Sequence, residues 1–121
     1  MRQHDQIPQI TVWHNPRCSK SRTAIELLKV RAQVTERRYL TDPPSLDELR
    51  TVLAQLGRPA IDMVRTKESA FREAGLSKDS SDEALLAAMA AHPELIERPI
   101  AIRGTRAILG RPPEDTLALL D

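Results

Sequence analysis

The stretch QITVWHNPRCSKSRTAIELLKV, residues 9–30, changes from a strand pattern to a helix pattern around the chain's single cysteine. Ile10 and Val12 alternate against Thr11 and Trp13, which predicts a short strand, while Ala24, Ile25, Leu28 and Ala32 share one helical face. Cys18 falls at the junction, among Asn15, Pro16, Ser19, Ser21 and the cationic Arg17, Lys20 and Arg22. A buried structural cysteine prefers apolar neighbours, so this setting points to chemistry. Downstream, VTERRYL (34–40) reads as a second strand whose charges suit a sheet edge. Strand, helix and strand form a βαβ unit, normally parallel and right-handed.

Working outward, PPSLDELRTVLAQLG (43–57) is the clearest helix: Leu46, Leu49, Val52, Leu53 and Leu56 make a stripe, Ser45 and Glu48 a capping box, and Gly57 a stop. TKESAFREAGL (66–76) and SSDEALLAAMAAHP (80–93) predict two more helices, the second opened by Ser80 and Glu83. RPIAIRGTRAIL (98–109) then returns to strand, with Gly104-Thr105 as a two-residue hairpin turn, and Pro112-Pro113 opens a short final helix. Arg103 and Arg106 flank the turn and read as solvated strand ends. The order β-α-β, helices, β-β-α is that of an α/β thioredoxin-like fold with a mixed sheet and a helical insertion. One domain over residues 1–121 is expected, with the insertion at about 41–97 and a polar, flexible start over residues 1–8.

Composition excludes several functions. The formal charge is +1 with acids and bases interspersed, and Trp13, Tyr39 and Phe71 are the whole aromatic set, so neither the basic face nor the stacking platforms of a nucleic-acid binder are expected. A lone cysteine cannot close an internal disulfide, and no stretch has the apolar length of a signal peptide or membrane span, which makes the reducing cytoplasm the expected compartment. His4, His14 and His92 are scattered and form no metal-binding pattern with Cys18. No P-loop, dinucleotide fingerprint or nucleophile elbow is present. The phosphatase loop fails on spacing, since it needs five residues between cysteine and arginine and only three separate Cys18 from Arg22.

A thiolate is the reactive form of cysteine, and an ordinary thiol pKa of about 8.5 leaves it mostly protonated at neutral pH. A helix start offers orphan N–H groups and a positive dipole end to the sulfur. Arg17, Lys20, Arg22 and His14 are candidates to add positive charge, and Ser19 and Ser21 to donate hydrogen bonds. The same helix end attracts oxyanions. Together these suggest attack by the thiolate on a bound oxyanion or on a disulfide bearing carboxylates, such as oxidised glutathione. Cys18-Ser-Lys-Ser21 lacks a second cysteine, so an external thiol must complete any redox cycle.

Four pieces in order, HNPRCSKSR (14–22), DMVRTKE (62–68), HPELIERPIAI (92–102) and GRPPE (110–114), together resemble the glutaredoxin-coupled arsenate reductase (ArsC) family over nearly all of residues 9–121. The resemblance implies that Cys18 attacks arsenate, that glutathione serves as co-substrate with no bound cofactor, and that glutaredoxin resolves the mixed disulfide. It further implies that Arg65, Arg98 and Arg111 converge on the oxyanion, that Asn15 belongs to the cysteine loop, and that Pro99 is cis beside the cysteine. The chain departs from the better-known members just after the cysteine, where they carry Gly-Thr and it carries Ser19-Lys20. Two other functions are weighed: a glutathione-dependent thiol/disulfide oxidoreductase, since Cys18-x-x-Ser21 resembles monothiol redox motifs, and a transcription-regulator-like binding module. The related regulators carry a Cys-x-x-Cys switch, and Ser21 stands where the second cysteine would be.

Overall fold

The computed structural model describes residues 7–121; part of the start expected to be flexible, residues 1–6, lies outside the described residues. The chain divides into two compact units, one formed by the N-terminal part up to Arg38 together with Arg98–Asp121, the other by Tyr39–Glu97.

In the first unit, β1 (Gln9–Trp13), α1 (Ser19–Lys29) and β2 (Gln33–Arg37) are followed, after the second unit, by β3 (Ile100–Arg103), β4 (Arg106–Leu109) and a 3-10 helix (Pro113–Leu120). The sheet order is β2-β1-β3-β4, with β1 parallel to β2 and antiparallel to β3, and β3 antiparallel to β4. As an interior strand of the four, β1 is covered on both faces: Ile10, Val12 and Trp13 are all buried, beyond the one-sided alternation expected of it. Ile10 and Val12 pack with Ile25 and Leu28 of α1, Ala101 of β3 and Leu119 of the final helix. Ala32 joins this core from beyond the end of α1, where the turn closes through N–H bonds from Arg31 and Ala32 to the Leu28 carbonyl. The Pro8 carbonyl accepts from Gln33 N–H at 2.8 Å, so the start of β1 is tied to the start of β2.

The charged β2 is an edge strand, as its residues suit, but it stops at Arg37 rather than running to Leu40. Tyr39 instead is fully buried in the second unit, where its hydroxyl donates to the Ile96 carbonyl at 3.3 Å. Gly104 occupies the hairpin turn at φ +58°, a conformation that side-chain-bearing residues rarely adopt.

The second unit holds α2 (Leu46–Leu56), α3 (Ser69–Glu73) and α4 (Asp82–Ala91), with short 3-10 turns at Ala60–Met63 and Pro93–Leu95. The α2 capping box is complete: Ser45 Oγ accepts from Glu48 N–H at 3.1 Å and Glu48 Oε1 from Ser45 N–H at 2.9 Å. α4 begins one residue later than expected, because Ser81 Oγ caps it by accepting from Ala84 N–H, while Ser80 Oγ closes the preceding turn on Ser77 N–H. The helix expected over residues 66–76 shortens to five residues, ended at Gly75, whose φ is +71°. A bridge between Val64 and Ile96 brings the segments around Arg65 and Glu97 together.

Candidate active site

The loop between β1 and α1 is built by hydrogen bonds that its own residues supply. Asn15 Oδ1 accepts from Arg17 N–H at 3.0 Å and the Asn15 carbonyl accepts from Cys18 N–H at 2.9 Å, which turns the chain through Pro16. Ser21, fully buried, anchors this turn: its Oγ accepts from Asn15 N–H at 3.3 Å. Arg22 braces the outside by donating from Nη1 to the Pro16 carbonyl at 2.8 Å. Cys18 thereby becomes the N-cap of α1 in an extended conformation (φ −95°, ψ 121°), with its thiol half-buried.

The thiol's setting decides its chemistry. Burial, the largest influence, disfavours the thiolate; the backbone N–H of Ser21, a side-chain hydrogen bond from Arg98, the backbone N–H of Lys20 and the Arg98 charge outweigh it and lower the pKa to about 7. Because the helix-end donors, from Lys20 and Ser21, are main-chain groups, they do not depend on which side chains follow the cysteine. Ser21 contributes through its backbone, its side chain being engaged by Asn15, and Ser19 is the exposed first residue of the helix.

Two readings of His14 stand level in the sequence, a charge beside the thiol and a strand-end histidine, and its placement matches the second. It is buried in the strand end, its N–H donating to the Arg37 carbonyl at 2.8 Å, and burial lowers its pKa against the opposing pull of Glu36, whose carboxylate lies 3.7 Å from Nε2. The ring is therefore neutral near neutral pH, and Nδ1 is buried without a partner among the described residues. The positive charge expected from His14, Arg17, Lys20 and Arg22 comes instead from Arg98, a residue distant in sequence.

Arg98 arrives through sheet pairing. Trp13 of β1 faces Ile100 of β3, so continuing the antiparallel register sets the residues before Ile100 alongside the cysteine loop. The Arg98–Pro99 peptide is cis, as is Arg111–Pro112. Arg111 joins Arg98 directly: its Nε donates to the Arg98 carbonyl at 3.0 Å. Cys18, Arg98 and Arg111 thus form one cluster of the first unit. Arg65 belongs to the second unit, where its guanidinium pairs with Glu68 at 3.0 Å and Glu97 at 3.8 Å and its N–H donates to the Leu95 carbonyl. Among the described residues no group of three or more His, Cys, Asp or Glu could hold a metal ion, and no helix is long and apolar enough to cross a membrane.

Two contributions escaped the local reading. Arg98 as the thiol's partner was available only from the pairing of β1 with β3, which a sequence shows weakly. Arg103 and Arg106 are strand ends, Arg106 exposed and Arg103 half-buried, and both also hold the final helix: Arg103 Nη1 donates to the Leu119 carbonyl at 2.6 Å, and Arg106 to those of Ala118 and Asp121 at 2.9 and 3.2 Å.

A mixed β-α-β, β-β-α sheet with an activated thiol at the start of its first helix defines a thiol protein of the thioredoxin-like class. The ArsC family model matches residues 13–119. An arsenate reductase of Neisseria meningitidis serogroup A is 44% identical over 117 residues, covering 94% of this chain and all of that protein. One from Haemophilus influenzae is 39% identical over 114 residues, covering 92% of this chain and 98% of its own. The solved structure of an arsenate reductase from Vibrio cholerae superposes with a TM-score of 0.87 at 42% identity, over 93% of this chain and 98% of that one. This chain belongs to the ArsC family.

Proposed function

We propose that this protein reduces arsenate to arsenite, with Cys18 as the nucleophile, glutathione as the co-substrate and glutaredoxin as the partner that restores the thiol. The observation that carries the reading is the half-buried Cys18 thiol at a helix start beside Arg98, with a pKa near 7. The arsenate reductases of similar sequence and fold support the substrate.

In this reading the Cys18 thiolate attacks arsenic(V), forming an S–As bond as an oxygen leaves with protons as water. Arg98 and Arg111 hydrogen-bond the anion and stabilise the charge that gathers on its oxygens, which guanidinium forks do well. Arg65 is the third arginine that the family resemblance assigns to the anion. Glutathione thiolate then attacks the Cys18 sulfur; the S–As electron pair passes to arsenic, which leaves as arsenic(III) in arsenite. Each sulfur gives up one electron, and a Cys18–glutathione disulfide results. With no second cysteine in the chain, an external thiol must release Cys18, and glutaredoxin does this by taking the glutathionyl group.

The test is NADPH consumption in a mixture of the protein, arsenate, glutathione, glutaredoxin and glutathione reductase. Arsenate-dependent turnover, lost in Cys18→Ser, is expected. The same lone, activated thiol also suits a glutathione mixed disulfide as substrate. Folded protein that ignores arsenate but deglutathionylates a disulfide would select that second activity.

A further inference from the structure

Gly110 is buried where β4 ends, and its backbone is not in the left-handed region that favours glycine. Something other than conformational freedom therefore makes a side chain costly there, and it is space. A Cβ on Gly110 would stand 2.7 Å from Pro99 Cγ, 3.0 Å from Thr116 Cγ2 and 3.4 Å from Pro99 Cδ. Neither neighbour yields easily. The Pro99 atoms belong to a closed ring, and Thr116 is fully buried with its Oγ1 donating to the Pro113 carbonyl at 2.7 Å. Gly110 N–H also donates to the Pro99 carbonyl at 2.8 Å, which holds the two backbones together. One residue to either side lie the groups of the site: Arg98 precedes Pro99, Arg111 follows Gly110, and Arg111 Nε donates to the Arg98 carbonyl.

We propose that Gly110 is a positioning residue of the active site: its missing side chain lets the end of β4 close on the Pro99 ring, and this contact, with the Arg111 hydrogen bond, fixes where Arg98 stands beside Cys18. The inference rests on the reading of Cys18 as the nucleophile. A methyl group at residue 110 pushes either the Pro99 ring, and Arg98 with it, or the final helix through Thr116. In the first case the guanidinium moves relative to the sulfur, and the thiolate loses both the hydrogen bond and the charge of Arg98.

The experiment is titration of the Cys18 thiolate by its ultraviolet absorbance. The wild-type titration tests the reading of Cys18 itself: a midpoint near 7 supports it, and an ordinary value ends it before any variant is made. In Gly110→Ala the midpoint is expected to rise by about one, which lowers the thiolate fraction at neutral pH on the order of fivefold. Thr116→Ser removes the Cγ2 methyl and keeps the hydroxyl, so Gly110→Ala/Thr116→Ser is expected to recover part of that loss. In an Arg98→Ala background, Gly110→Ala is expected to add no further rise, since its effect passes through Arg98. Arg106→Ala, which loosens the final helix without touching Pro99, is expected to lower Tm and leave the thiol unchanged. Should Gly110→Ala alone fail to fold, the double variant is titrated against Thr116→Ser, with a smaller rise expected. Folded Gly110→Ala with the wild-type midpoint, or a rise of equal size without Arg98, would overturn the proposal.

Discussion

At the scale of single residues, Cys18 shows how a thiol is activated mainly by groups that its own neighbours in sequence do not carry on their side chains. Two backbone N–H groups and one arginine from the segment leading into β3 overcome the cost of burial. Of the adjacent cations Arg22 braces the loop, and burial lowers the pKa of His14. The residue pattern showed where the perturbed thiol lies, since a lone cysteine at a strand-to-helix junction is legible from periodicity alone. It did not show the source of the charge, because Arg98 reaches the sulfur only through strand pairing. The pKa also couples ionisation to folding. A thiol titrating at about 7 in the folded state lies below its ordinary value, so ionisation stabilises the fold. That contribution is complete above the unfolded pKa of about 8.5 and is lost as pH falls through the folded value. The Tm of the wild type relative to Cys18→Ser should therefore rise as pH is taken from about 7 to about 9; a difference that stays flat would mean that the folded thiol is unperturbed. Ser21→Ala should cost about 1–3 kcal/mol in denaturant unfolding, because it strands the buried Asn15 N–H.

At the scale of elements, the ends of helices carry most of the information. The α2 capping box was readable as Ser45 and Glu48 three apart ahead of a leucine stripe, and Gly57 ends the helix at φ +65°. Ser45→Ala should lower stability by about 1 kcal/mol, measurable as a shift of the urea midpoint. The start of α4 was displaced by one residue because Ser80 and Ser81 are both competent caps, and the preceding turn claims the first. The final helix is held by a device with no sequence signature: Arg103 and Arg106, opposite one another in the β3–β4 hairpin, reach across to its last carbonyls. Cations at a helix C-terminus answer both its unpaired carbonyls and its dipole. Arg103→Ala should cost about 1–2 kcal/mol in the same unfolding experiment, with the loss reduced by added salt less than for an exposed surface pair.

At the scale of the whole molecule, alternation and helical stripes were enough to place β1, α1 and the β3–β4 hairpin, whose apolar residues are mostly buried, while β2 was readable from its charged, edge-type residues after α1. The sheet order needed more: β3 pairs beside β1 after an excursion of more than sixty residues through the second unit, and no local pattern specifies that return. The site inherits the same division. Its cysteine is local, whereas Arg98, with Arg111 bonded to it, comes beside that cysteine only when the sheet is complete. The central claim is that this assembled pocket keeps Cys18 ionised and holds a tetrahedral anion next to it. It is tested most directly by titrating the thiolate of the wild-type protein with and without sulfate, an unreactive counterpart of arsenate. The account predicts a midpoint near 7 that moves upward as sulfate binds, since a neighbouring negative charge disfavours the thiolate. A midpoint at the ordinary thiol value, indifferent to sulfate, would contradict it.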